Sequence, residues 1–445
     1  MNSTVSFSRD IPLYDGYDVI VAGGGPAGCA AAAAAAGQGA KTLLLEASGC
    51  LGGMGTIGLV PAWCPFSDGE KILYRGIAQQ VFEKTKAQMP GVSSDALDWV
   101  SIDPEVLKRV YDDLVTDAGC DILFHTSVTD LAHTNGHIDY VVTSNKAGLA
   151  AYRAAVYVDC TGDADLVARA GGAFEYGDEN QTVQPVTHCF QLSNVNEEAY
   201  RRGPGLHALL KDCPVYDIVC SEKYPLVTDG HSCNSTIGPG VVGFNAGHMW
   251  DVHGTDPANL SQALIQGRRL AHQFHQGLRE FYPSAFGESF LSATAPAMGI
   301  RESRRIVGDY TITLEDYFAR RDFPDEIGRN CYFIDVHQSL EERERNLRGE
   351  FDTEDRFRRY EPGESHGIPY RSLLPQGLQN LLTAGRNVSC DQMVQGSIRV
   401  MPPALVTGEA AGTAAALAAL TGSDTRSIDT ERLREKLRQA GAWFH

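Results

Sequence analysis

The residues with the clearest chemical purpose are Gly23, Gly25 and Gly28, spaced G-x-G-x-x-G within YDVIVAGGGPAGCAAAAAAAGQGAKTLLLE, residues 17–46. The first glycine permits a tight turn and the second lets a pyrophosphate approach the backbone. The third lets a helix pack closely on a strand. Glu46 stands 18 residues beyond Gly28, where a carboxylate can accept hydrogen bonds from the hydroxyls of an adenosine ribose. A dinucleotide site is the expectation. A second turn, Thr161-Gly162-Asp163, offers acidic side chains that suit ribose or ribityl hydroxyls rather than phosphate, since like charges repel. Asp335-x-His337 puts a carboxylate and an imidazole on one strand face, where the first could orient the second. Arg301 and Arg371 could grip a carboxylate bidentately or stabilise an oxyanion, with a structural ion pair as the alternative.

Those side chains need positioning elements. Residues 18–22 read as a short buried strand, 29–36 as an almost pure alanine helix, and 41–45 as the next parallel strand. The glycine-rich loop that follows lets a large flat ligand lie against backbone, with Gly52 and Gly53 the best placed. Helices are expected over 76–88 and 104–118, the latter N-capped by Asp103 before Pro104. Strand-like runs at 121–126, 127–131, 138–143 and 151–159, with Asn135-Gly136 as a hairpin turn, add an antiparallel ribbon to the parallel sheet. A helix over 164–170 follows the Thr161-Gly162-Asp163 turn. From about 184 to 365 the βαβ rhythm is lost and histidines, aromatics and arginines accumulate. A long helix over 260–281 carries His272 and His275 at i, i+3, which reads as a solvated face, so no metal site is expected. Residues 331–336 read as a short strand, and 341–348 (EERERNLR) as an exposed charged helix. Pro402 and Pro403 open a last helix running to about residue 420, whose free N–H groups suit an anion.

Three further blocks extend the pattern: MGIRESRRIVGDYTIT (298–313), IPYRSLLPQGLQNLLTAGRNVS (368–389) and GSIRVMPPALVTGEAAGTAAA (396–416). With the glycine triplet and the T-G-D turn they resemble the FAD-dependent oxidoreductase family, over nearly the whole chain. That family is of the glutathione-reductase-like two-domain type, distantly similar to the fumarate reductase flavoprotein subunit and the heterodisulfide reductase flavin subunit. The resemblance implies an α/β fold: a Rossmann-like FAD-binding domain with a parallel sheet and an inserted antiparallel ribbon, plus an α+β substrate (cap) domain. The divisions expected are 1–188 and 366–445 for the two parts of the FAD domain and 189–365 for the cap. It implies non-covalent FAD held by Gly23, Gly25, Pro26, Ala27, Gly28, Glu46, Ala47, Gly52, Gly53, Met54, Thr56, Val128, Thr161, Gly162, Asp163, Gly385, Arg386, Gly396, Ser397, Val400 and Met401. Cys50, Cys64, Cys189 and His188 are the residues to weigh for a covalent link. In related flavoproteins the last helix points at the N1/C2-carbonyl edge of the flavin, favouring hydride uptake. Arg301, His337, His366, Tyr370, Arg371 and His248 are the catalytic candidates around a small-molecule substrate. A departure at Ala246 and Gly247 from the family's usual polar run points to a different pocket.

The chain has 445 residues, 43% hydrophobic and 21% charged, which is ample for a globular core and more than one domain. A formal net charge of −18 argues against nucleic acid or an anionic membrane surface as partner. The apolar run at 404–420 reads as a buried helix, and no membrane span is expected. Eleven cysteines without a C-x-x-C pair are neither a disulfide framework nor a zinc or iron–sulfur motif, and point to a reducing cytoplasm. No second glycine triplet offers a nicotinamide site, so the electron acceptor stays open between oxygen, a quinone, a nicotinamide and another protein. A homo-oligomer is compatible with the sequence. The expected activity is hydride transfer between substrate and flavin N5. A non-redox flavoenzyme or lyase, or a flavin-binding subunit of a larger redox complex, is the alternative.

Overall fold

The computed structural model describes residues 4–206, 213–337, 339–340 and 359–445; the charged run at 341–348 lies outside the described residues. Its central sheet is laid down by β1 (Leu13–Ala22), β2 (Thr42–Leu45), β3 (Asp121–Leu123), β4 (Ser127–Thr134), β5 (His137–Asn145) and β6 (Gly148–Asp159). The order is β3-β2-β1-β6-β5-β4, parallel from β3 to β6 and antiparallel beyond. Val19–Ala22 are fully buried, as an apolar run covered on both faces requires. β1 begins five residues before the expected start, because Leu13–Tyr17 pair with β6 at the exposed end of the sheet. Their polar, glycine-broken sequence hides that pairing. The β4–β5 turn places Asn135 at φ 51° and Gly136 at φ 79°, the two left-handed residues that a tight hairpin needs.

Helix α1 (Pro26–Gly37) lies on the sheet, followed by α2 (Ile77–Lys86) and α3 (Pro104–Asp117). Asp103 caps α3 as expected, its Oδ1 accepting from the Glu105 and Val106 amides.

The middle of the chain builds a second layer. After β7 (Phe174–Tyr176), strands β8 (Phe190–Ser193), β9 (Ser232–Gly238), β10 (Val241–Ala246) and β11 (Phe290–Thr294) form an antiparallel sheet in the order β11-β8-β10-β9. The helix Pro257–Phe281 packs on it around its own apolar cluster, where Phe190 and Phe244 stack at 5.0 Å. His272 is exposed, but His275 is buried and bonded to the carbonyl and hydroxyl of Ser289. The solvated-face expectation therefore fails for His275: it follows Phe274 into the core and finds a polar partner there.

β12 (Arg304–Ile306) pairs with β7, and β13 (Glu326–Asn330) with β14 (His366–Pro369). The strand expected at 331–336 does not form, as these residues find no ladder partner. β15 (Leu381–Thr383) then returns to the first sheet, parallel to the end of β6. The return helix, Met401–Thr421, crosses α1 through a glycine–alanine seam. A Cβ at Gly408 or Gly412 would stand 2.2 and 2.0 Å from the carbonyl oxygens of Ala27 and Ala31. The return helix is long and apolar enough to span a membrane, but 83% of that apolar stretch is buried within the fold, as expected for a core helix.

Candidate active site

The glycine turn joins β1 to α1. Gly23 sits at φ +95°, and a Cβ there would meet the Cys160 carbonyl at 2.5 Å. At Gly28 a Cβ would fall 1.7 Å from the Gly23 carbonyl, which is why the third position must be glycine. Gly25 caps α1 without a side-chain bond, and the space its Cβ would fill is open. That gap, before an uncapped helix N-terminus, is where a pyrophosphate fits. Pro26 and Ala27 open the helix. Glu46 is fixed beside it, its two oxygens accepting from the Gly24 and Ser48 amides at 2.6 Å each. Both oxygens keep a lone pair for ribose hydroxyls. Ala47 is exposed at the rim of this turn.

From Gly52 (φ +101°) a short turn, Gly53–Gly55, leads away from the glycine turn. A Cβ on Gly53 would lie 3.1 Å from Gly25 Cα, and one on Gly55 3.1 Å from Met401 Sδ. One wall of small residues therefore runs from the pyrophosphate gap to the return helix, with Met54 half-buried on it and Thr56 bonded to the Leu51 carbonyl. The helix begins at Val400 with no side-chain cap. The groove between the uncapped starts of α1 and of the return helix has the small-residue lining that an extended dinucleotide needs.

Other expected cofactor residues are engaged by the protein itself. Asp163 Oδ1 accepts from Ser303 Oγ and Arg386 Nη2, both at 2.6 Å, which leaves Oδ2 for a ribityl hydroxyl. Arg386 also bonds the Gly162 and Ile300 carbonyls, and Thr161 is turned toward Asp159. Gly385, at φ +89°, passes Ala27 closely. Ser397 bonds Tyr332 and Asn330, and Gly396 backs onto Asp335 and Val336. Val128 lies half-buried on β4.

Of the six catalytic candidates, the fold gathers three. The β9–β10 hairpin sets His231 beside His248, Gly247 N–H bonding the His231 carbonyl, and the two rings stack at 4.3 Å. His337 arrives from the unpaired 331–337 segment, its Nδ1 2.8 Å from His248 Nε2. Carboxylates flank this pair: Asp229 Oδ1 lies 3.1 Å from His248 Nδ1, and Asp335 Oδ1 3.5 Å from His337 Nε2. Asp229 is itself pinned by the His231 and His248 amides. Arg301 closes the group. Its Nη1 bonds the Pro185 carbonyl and Thr187 Oγ1, while Nη2 makes only long contacts, 3.4 Å to His231 Nε2 and 3.5 Å to Asn245 Oδ1. The cluster reaches the return helix through Arg399, which bonds Asp335 one residue before Val400. Gln395 ties the Arg301 carbonyl to the same corner.

Burial and the nearby Arg301 push His337 down to about 3, with Asp335 opposing them. His231 is held well below its ordinary value, and His248 below it, by burial first. For Asp335 burial is outweighed by His337, Arg399 and Arg301, which hold its carboxyl well below the usual range. The three imidazoles are therefore neutral at pH 7. Their donor atoms lie within 4.8 Å of one another, close enough to invite a metal ion. Two features disfavour one: the Arg301 guanidinium lies against His231, and the His231 and His248 rings are only 12° from parallel, so their lone pairs do not converge.

The remaining candidates lie outside this group. Tyr370 is buried and donates to the Thr425 carbonyl; Arg371 forms an ion pair with Asp325. Arg371 thus makes the structural ion pair weighed as its alternative, and the Tyr370 hydroxyl is spent on the backbone. His366 is buried on β14 against Tyr317 and Tyr360, its Nδ1 bonded to the Tyr360 hydroxyl, and burial pushes it down to about 3. Desolvation pushes the thiols of half-buried Cys64 and buried Cys189 up to about 12 and raises that of Cys50, and His188 bonds the Ala295 carbonyl. None is activated for covalent attachment. Sequence reasoning missed Asp229, His231, Thr187, Asn245 and Arg399. Asp229-Gly230-His231 at the foot of an alternating run was the one available signal.

A family model described as FAD dependent oxidoreductase matches residues 18–437. The chain belongs to that family. Its cofactor is FAD. No curated protein matches the chain. Similar solved structures include a geranylgeranyl bacteriochlorophyll reductase-like protein from Thermoplasma acidophilum (14% identity, 97% of this chain and 84% of that one, TM-score 0.48). The OxyS anhydrotetracycline hydroxylase of Streptomyces rimosus matches at 14% identity over 96% of this chain and 65% of that one, TM-score 0.46. The p-nitrophenol 4-monooxygenase PnpA of Pseudomonas putida DLL-E4 matches at 11% over 95% and 83%, TM-score 0.46.

Proposed function

We propose that this FAD-dependent oxidoreductase passes a hydride between flavin N5 and a small molecule held between the cap (189–365) and the FAD domain (1–188 with 366–445). Bound FAD supplies the two-electron chemistry. The chain's own residues supply the rest. Arg301 orients the substrate, and His248 and His337 handle the proton that accompanies the hydride.

The observation that carries this reading is the chain Asp229–His248–His337–Asp335. It contains three links, yet two neutral imidazoles bring only two protons. His248 Nδ1–H serves Asp229, and His337 Nδ1–H serves His248 Nε2. The longest link, His337 Nε2 to Asp335 at 3.5 Å, is then left without a proton. A proton released by a substrate O–H or N–H fills that place, and the two carboxylates stabilise the imidazolium that results. The reverse transfer returns it.

The test is anaerobic mixing of the purified yellow protein with alcohols, amines, hydroxy acids and reduced nicotinamides. Bleaching at 450 nm by one class is expected. Failure of every class would end the hydride-transfer reading.

A further inference from the structure

Arg301 is a buried cation without a direct ion pair. Its residue is 6% exposed, and among the described residues no carboxylate lies within ion-pair distance of its guanidinium. Burial and Arg399 lower it to about 10, so it remains charged at neutral pH. A buried cation normally has a direct counter-ion. The two nearby acids are committed elsewhere: Asp229 to His248 and two amides, Asp335 to Arg399 and His337. Nη1 has both of its hydrogens in use, whereas the Nη2 edge has only contacts of 3.4 and 3.5 Å.

We propose that this edge receives a carboxylate of the substrate, so that the enzyme acts on a small carboxylic acid whose reacting group faces the His248–His337 pair. The inference rests on the site assignment made under the proposed function. One negative charge is better tolerated than two, because a proton taken up by the His248–His337 pair offsets one. Arg301 and Arg399 are matched by Asp229 and Asp335 when the imidazoles are neutral, and a phosphate dianion would have to approach both carboxylates. His231, with Nε2 toward Arg301, and Asn245 flank the same edge, and their polar side chains can turn to the bound oxygens. Binding has a second effect. His337 is faced by Arg301, Asp335, His248 and His231, with Arg399 behind Asp335, and Arg301 is the charge that most opposes its protonation. A carboxylate on Arg301 offsets that repulsion and makes His337 a stronger base only when substrate is present.

The experiment is a ligand-observed NMR titration of the FAD-loaded protein with glycolate and benzoate against glycolamide and benzamide. At least one acid is expected to bind roughly tenfold to a hundredfold more tightly than its amide, the range for a charge-assisted pair. Two variants should abolish the preference: Arg301→Gln, and Asn245→Asp, which supplies an internal carboxylate without enlarging the side chain. Arg426→Gln, far from the site and paired with Asp309, should keep it. Equal binding of acids and amides by the native protein overturns the proposal even if Arg301→Gln does not fold. So does a preference that survives in a folded Asn245→Asp protein. Bleaching of the flavin by neutral alcohols with no acid preference would sink the carboxylate while leaving the redox reading. Acid binding through Arg301 with no bleaching by any compound would do the opposite.

Discussion

The substitution Glu409→Gln isolates one buried charge in the helix seam. Glu409 is 3% exposed in the middle of the return helix, and the one bond described for its carboxylate comes from the Ile77 amide at 2.9 Å. That bond caps α2, whose first amides Gly76 leaves without a side-chain partner. Burial nevertheless dominates and raises the carboxyl from 4.5 to about 7. The folded protein thus holds this proton more tightly than the unfolded chain. Below pH 4.5 both states are protonated and the residue costs nothing. Between 4.5 and 7 stability falls as the pH rises, and above 7 the full cost is present. At 1.36 kcal/mol per pH unit that cost is about 3 kcal/mol, against less than about 1 kcal/mol at pH 5. The glutamine side chain keeps an acceptor for Ile77 and carries no charge. Calorimetry at saturating FAD should show the variant about 3 °C more stable than the native protein at pH 8, taking an unfolding entropy of about 2 cal/mol/K per residue. The gap should shrink below about 1 °C at pH 5. A gap independent of pH, or a variant less stable at pH 8, would refute the reasoning.

Asp229→Asn should slow anaerobic flavin reduction by roughly 10- to 100-fold and alter its pH profile, because His248 loses the carboxylate that fixes its tautomer; FAD content, read from the absorbance ratio, should not change. Gly412→Val should abolish folding or cost more than about 3 kcal/mol, since its Cβ would meet the Ala31 carbonyl at 2.0 Å. Gly37→Ala, at a position open to solvent, should be neutral or slightly stabilising by thermal melt. Tyr370→Phe should lose about 1 kcal/mol with its bond to the Thr425 carbonyl yet leave the rate of flavin reduction unchanged.

The glycine turn, the helix after it, Glu46, the hairpin at Asn135-Gly136 and the cap at Asp103 were all legible in the sequence. Each is decided by neighbours a few residues away, through backbone sterics, amide capping or strand alternation. The apolar run at 404–420 likewise read as a buried helix, although not with Ala27 and Ala31 as its partners. The cluster around Arg301 and His337 is of another kind. Arg301 and His337 were visible as residue types, but their standing depends on Thr187, His231 and Asn245, brought together by hairpin register and by isolated bridges between distant segments. Tyr370 and Arg371 were also candidates by residue type, and in the fold Thr425 and Asp325 engage them. Whether a polar side chain is spent on structure or left for a ligand depends on which partners lie within about 3 Å, and for this cluster only the tertiary fold determines that.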